Sequence, residues 1–212
     1  SPRSPYTTLQ IPKQGIGEWC HPLHTVDIND AGLRSSVQNG ILNTELGIPF
    51  RTPAEGHNVA FTSLWDNYPD SLEIPLKGKA SRAYLLMAGS TNHMQCHIDN
   101  GVIRIYYKDG TRDVMFLRNP DNWPPIEHIF FEDGLAFNRH TPALYRLRLK
   151  TGEISNNFGE ELGFPGASRE LDGGAAVLLE MPLNPGKKLS HLVLETLSND
   201  VVIGLMSITL QR

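Results

Sequence analysis

The sequence predicts an all-β protein built as a sandwich of antiparallel sheets, and three observations predict it. Segments of period-two hydrophobicity recur along the chain, the pattern of strands with one buried and one wet face. The 15 prolines and 19 glycines fall mostly between those segments, where a sandwich of many short strands needs its turns. Only DAGLRSSVQNG (30–40) could hold a helical turn, and its glycines keep it short.

The elements follow in order. YLLMAG (84–89) is an apolar strand leading to VIRIYYKDGTRDVMFL (102–117). There Asp109-Gly110 is a two-residue type I′ hairpin signal, which pairs Lys108 with Thr111, Ile105 with Val114 and Ile103 with Phe116. That register sets Ile103, Ile105, Val114 and Phe116 on one face. YRLRLK (145–150) alternates, with Tyr145, Leu147 and Leu149 on one side and Arg146, Arg148 and Lys150 on the other. GAAVLLEMPL (174–183), LSHLVLETL (189–197) and VVIGLMSITL (201–210) are three further strands, parted by the turn formers NPG (184–186) and SND (198–200). Two packed sheets of roughly eight to ten strands are expected. The expected core holds Ile103, Ile105, Val114, Phe116, Leu147, Leu149, Val193 and Ile208.

Composition excludes some partners. At 212 residues and 40% hydrophobic content the chain can bury a core without staples, and it reads as one domain, 1–212. A net charge of −4, from 19 basic and 23 acidic residues with no basic run, leaves no footprint for nucleic acid or an anionic membrane. No apolar stretch reaches the about 18 residues of a membrane span. The chain opens on SPRSPYTTL without a charged start and apolar signal segment, so it is expected to be a piece of a longer protein.

The ordered series VDIND (26–30), GIPF (47–50), IPLKGKASRAYLLMAGST (74–91), IRIYYKDGT (103–111), Trp123 and LNPGKKLSHLVLETLSNDVVIGLMSITL (183–210) covers most of the chain. It resembles the galactose-binding-like β-sandwich, and more specifically the jelly-roll accessory modules of large secreted glycoside hydrolases. In that group a strand leads into GIPF, a basic and alanine-bearing turn precedes a YLL strand, a Y.DGT hairpin follows, and an NP.K.L..L.LET strand pair closes the sandwich. The resemblance implies a jelly roll with a carbohydrate partner, an attached catalytic domain and a periplasmic or extracellular location. It also implies a calcium option, since related sandwiches often staple a loop with a hard cation, and Asp27, Asn29 and Asp30 offer oxygen ligands in an early turn. An Asx turn is the alternative there.

Two stretches, CHPLH (20–24) and HMQCH (93–97), set cysteines beside histidines. Cys20, His24, His93 and Cys96 form a countable zinc set, with a Cys20–Cys96 disulfide and unlinked thiols as the alternatives. In an extended segment His93 and Cys96 point to opposite faces, and no turn is signalled between them, so unlinked thiols are preferred. Catalysis has little support. Glycoside hydrolysis needs two carboxylates roughly 5 to 9.5 Å apart, for which Glu127, Glu132 and Asp133 are the candidates, and no GxSxG, P-loop, GxGxxG or HExxH motif is present.

Sugar binders pair an exposed aromatic platform with directional polar groups. Trp123, in a proline-rich loop with Arg118 and Asn122, is one such candidate, and Trp65 and Tyr68, with Asp66 and Asn67, are another. The expected function is a non-catalytic, glycan-binding module of a larger secreted glycoside hydrolase. The alternatives are a structural spacer packed on a catalytic neighbour, with its tryptophans buried, and a small glycoside hydrolase in its own right.

Overall fold

The computed structural model describes residues 3–11, 27–64, 67–92, 95–129, 139–161 and 170–212. Among them the chain is an all-β sandwich, with strands and helices numbered here in chain order. A seven-stranded sheet runs, edge to edge, through β1 (Tyr6–Thr7), β5 (Val59–Ser63), β14 (Val201–Gln211), β7 (Arg82–Thr91), β12 (Ala175–Pro182), β10 (Arg146–Arg148) and β11 (Ile154–Ser155). A four-stranded sheet runs through β6 (Ser71–Pro75), β13 (Leu189–Thr196), β8 (Asp99–Tyr107) and β9 (Arg112–Arg118). β2 (Val37–Gln38), β3 (Ile41–Asn43) and β4 (Pro49–Arg51) form a small third sheet, and the helices α1 (Ala31–Ser35) and α2 (Phe158–Glu161) are single turns. The expected two sheets and eight to ten strands therefore understate the count, because the third sheet and the two-residue strands carry no periodic signal.

The main core lies between the two large sheets. Leu85, Met87, Val177, Leu179 and Ile203 from one sheet meet Ile103, Ile105, Leu117, Leu192 and Leu194 from the other. The seven-stranded sheet is covered on its far side as well, where Leu86, Leu178 and Val202 pack with Leu33 of α1, Leu42 of β3 and Phe50 of β4. Side chains on a strand alternate between faces, so a strand buried on both faces needs apolar residues at every position. The near-continuous apolar runs of β7, β12 and β14 meet that need.

The hairpin between β8 and β9 corrects the predicted register by one residue. Ile103 faces Met115, Arg104 faces Val114, and Val102 faces Phe116. Gly110 N–H donates to Tyr107 O at 3.0 Å and Tyr107 N–H to Thr111 O at 2.8 Å, so the loop holds three residues. Gly110 alone takes the left-handed conformation, at φ 84°, whereas a type I′ turn would need positive φ at Asp109 too. The extra loop residue turns Val114 and Phe116 to the outer face, where they are 42% and 43% exposed. Val193 lies on that same face, opposite Arg104 and half-buried, rather than in the core. Ile103, Ile105, Leu147 and Leu149 are buried as expected, and Ile208 packs partly buried against the main core.

Arg146 overturns a second expectation. Alternation assigned it to solvent, yet it is 6% exposed. Its guanidinium donates to the carbonyls of Pro125, His128, Ala175 and Ala176, and burial pulls its pKa down to about 10 against the opposing charge of Glu127. Buried donors are tolerated when acceptors meet them, and here one side chain ties β12 to the segment that follows Trp123.

Candidate functional site

The loop around Trp123 is built inward. Asn122 Oδ1 accepts the Arg118 N–H at 2.7 Å and its amide donates to Phe116 O at 2.9 Å, so this side chain closes the chain reversal after β9. The next residue, Trp123, is fully buried in the main core. It lies against Gly89 of β7, where a Cβ would stand 2.6 Å from the indole Cζ2, so the absence of a side chain there makes room for the ring. The platform expectation for Trp123 is thereby corrected: an indole with no exposed face cannot stack on a sugar.

Tyr68 is corrected in the same way. It is 9% exposed, sits edge-on to Phe61 at 5.8 Å between ring centroids, and has Arg3 over its ring at 5.0 Å. Asn67 is exposed, with a left-handed backbone at φ 61°, while Trp65 and Asp66 lie outside the described residues. Arg118 is exposed and paired with Asp99 at 2.5 Å, which strengthens its hold on its proton.

Two of the three oxygen ligands offered for calcium, Asn29 and Asp30, have other partners. Asn29 Oδ1 accepts the Ala31 N–H at 3.0 Å, an Asx turn that opens α1. Asp30 Oδ2 accepts from Arg34 at 2.9 Å and from Asn58 at 2.8 Å. Asp27 is exposed beside them. Of the zinc set, Cys20, His24 and His93 lie outside the described residues, and Cys96 is half-buried in a bridge to Asn119. Among the acids of the hydrolase alternative, Glu132 and Asp133 also lie outside them, and Glu127 is fully buried near Arg146 rather than lining a cleft.

Among the described residues, the exposed surface with the richest chemistry is the outer face of the four-stranded sheet. The register sets out its rows. Arg112, Tyr106, His191 and Pro75 lie side by side across the sheet, then Val114, Arg104, Val193 and Glu73, then Phe116, Val102, Glu195 and Ser71, with Val102 fully buried beneath its neighbours. Tyr106 and His191 stack at 4.6 Å with their planes 10° apart, and Arg112 donates to the Tyr106 hydroxyl at 3.1 Å. Arg104 pairs with Glu195 at 2.5 Å, and the Arg118 guanidinium lies 5.7 Å from the centroid of the Phe116 ring. An apolar centre of Val114 and Phe116 is thus fenced by planar rings and by directional donors and acceptors. Alternation in IRIYY and HLVLET already separates Arg104, Tyr106, His191 and Glu195 from the core-facing leucines and isoleucines. The one-residue register error hid Val114 and Phe116.

Comparison with family models, with curated proteins and with solved structures finds no match for this chain.

Proposed function

We propose that the chain is a non-catalytic, carbohydrate-binding module that takes glycan on the outer face of its four-stranded sheet. The observation that carries this reading is the pair Val114 and Phe116, both more than two-fifths exposed on an open sheet face bordered by Arg104–Glu195 and Arg118–Asp99. A sugar ring presents an apolar C–H face edged with hydroxyls, and this surface offers the complement of both. The resemblance to galactose-binding-like modules of secreted glycoside hydrolases adds the context of a catalytic neighbour in a longer chain. Tethering then makes a weak site useful, because it raises the local concentration of the enzyme on its substrate.

The test is a glycan array followed by calorimetry on the hits. Wild-type protein should bind with a Kd on the order of 0.1 to 1 mM, and Phe116→Ala should abolish that binding without changing the melting temperature by more than about 2 °C. Wild-type protein that retains no glycan, or binding indifferent to Phe116→Ala, would sink the proposal. The spacer reading is the second one, and the burial of Trp123 and Tyr68 favours it. It expects no glycan hit and a loss of contact with the catalytic neighbour when Val114 and Phe116 are made polar.

A further inference from the structure

Three side chains from distant parts of the sequence meet at one end of the sandwich. His97 precedes β8, Asp121 lies in the loop after β9, and His140 leads towards β10. Their ligand atoms all lie within 4.8 Å of one another. Each is held from its backbone. His97 N–H donates to Asn119 O at 2.7 Å, Asp121 Oδ1 accepts the His140 N–H at 2.6 Å, and Asp121 O accepts the Thr141 hydroxyl at 2.9 Å. One carboxylate oxygen therefore positions His140, and the other, Oδ2, faces both imidazoles, 3.7 Å from His140 Nδ1 and 4.0 Å from His97 Nδ1. The two rings lie 4.8 Å apart and 28° from parallel.

These separations are too long for hydrogen bonds, whose heavy atoms lie about 2.7 to 3.2 Å apart. They suit groups that surround a shared partner. An ion with bonds of about 2.0 to 2.2 Å to nitrogen and oxygen spaces its ligand atoms by roughly 3 to 3.6 Å, so the two Asp121–His separations need to close by less than about 1 Å and the widest pair by about 1 to 2 Å. His140 is two-thirds exposed and has room to swing. Two imidazoles and one carboxylate suit a divalent first-row transition ion rather than calcium or magnesium, which prefer all-oxygen shells. We infer that His97, Asp121 and His140 bind a zinc-class divalent cation through three protein ligands, leaving a coordination position open to water or to a ligand oxygen. Such an ion would also tie together the segment before β8, the loop after β9 and the approach to β10. The inference is independent of the glycan reading.

The experiment uses untagged protein stripped with EDTA and titrated with Zn2+ by calorimetry, with native mass spectrometry for stoichiometry. One equivalent should bind in the micromolar range or tighter. His140→Ala and His97→Asn should each weaken binding by about tenfold or more. Asn is chosen at 97 because the backbone there is left-handed, at φ 55°, a conformation Asn tolerates. Zinc should raise the melting temperature of the wild type and leave that of His140→Ala unmoved, and His140 is exposed enough that its loss spares the fold. Co2+ bound in place of zinc should show no thiolate-to-metal charge-transfer band. The assignment is overturned by wild-type protein with no saturable binding, by a His97→Asn/His140→Ala double variant that keeps its equivalent, or by a thiolate band, which would move the ion to the cysteines.

Discussion

The seven-stranded and four-stranded sheets share one core but differ in what lies behind them. Behind the first, α1 and the small third sheet bring Leu33, Leu42 and Phe50 onto Leu86, Leu178 and Val202. Behind the second, the described residues add no layer, and its outer face carries arginines, a Tyr–His stack and two exposed apolar side chains. Neighbouring residues make the contrast concrete. Leu85 and Leu86 point to opposite faces of the seven-stranded sheet and both are fully buried, whereas Leu117 is fully buried and Phe116 beside it is 43% exposed. An apolar residue on a strand is therefore not a core residue by composition. Its fate depends on what covers its face: Leu86 meets a further layer, whereas Val114 and Phe116 stay more than two-fifths exposed.

Substitutions can test that contrast, with the largest loss expected where the two sheets meet. Trp123→Ala should cost about 3 to 5 kcal/mol by chemical denaturation, the range of a large aromatic removed from a core. A loss below about 1 kcal/mol would show that the indole lies at the surface and would revive the loop as a binding platform. Next come the adjacent pairs. Leu85→Ala and Leu86→Ala should each cost about 2 to 5 kcal/mol, since both faces of that sheet are packed. Leu117→Ala should lose a similar amount and Phe116→Ala less than about 1 kcal/mol. Equal losses at Phe116 and Leu117 would mean that the outer face is covered and the comparison fails.

The smallest effect tests the hairpin itself. Hydrogen bonds from the Thr111 hydroxyl and N–H, with help from Lys187, pull the Asp109 carboxyl from 3.8 down to about 2. A carboxyl depressed in the folded state adds stability above its unfolded value and loses it as pH falls through the folded one. The melting temperature of wild type should therefore exceed that of Asp109→Asn near neutrality, with the gap closing as pH drops from 3.8 to about 2. A gap that stays constant through this window would place the Asp109 carboxylate away from Thr111, against the three-residue loop.

The DG dipeptide shows why part of the fold was legible and part was not. Asp109-Gly110 marks a reversal reliably because Gly110 accepts positive φ at no steric cost, and the hairpin is where the sequence put it. The same dipeptide fits both a two-residue type I′ loop and a three-residue loop ending in left-handed glycine. The choice between them shifts every side chain of β9 to the other face, and it brings Met115 and Leu117 inward beside Ile103 and Ile105. Hydrophobic pattern did not separate the two, since Val114-Met115-Phe116-Leu117 is apolar at every position.

The candidate sites divide along the same line. Local chemistry in the sequence determined the all-β class, the main strands, the turn positions and the helical turn at Ala31–Ser35, though not the second one at Phe158–Glu161, because periodicity and turn propensity act within a few residues. Tertiary structure decided the rest. It placed Trp123 inside because Gly89 of β7 makes space for it, and it buried Arg146 because backbone carbonyls from two separate segments, 125–128 and 175–176, converge on its guanidinium. It also gathered His97, Asp121 and His140. HMQCH advertised its histidines, but only the folded chain could pick His97 and supply its partners, since ligands that meet in space come from segments whose separation along the chain carries no local signal.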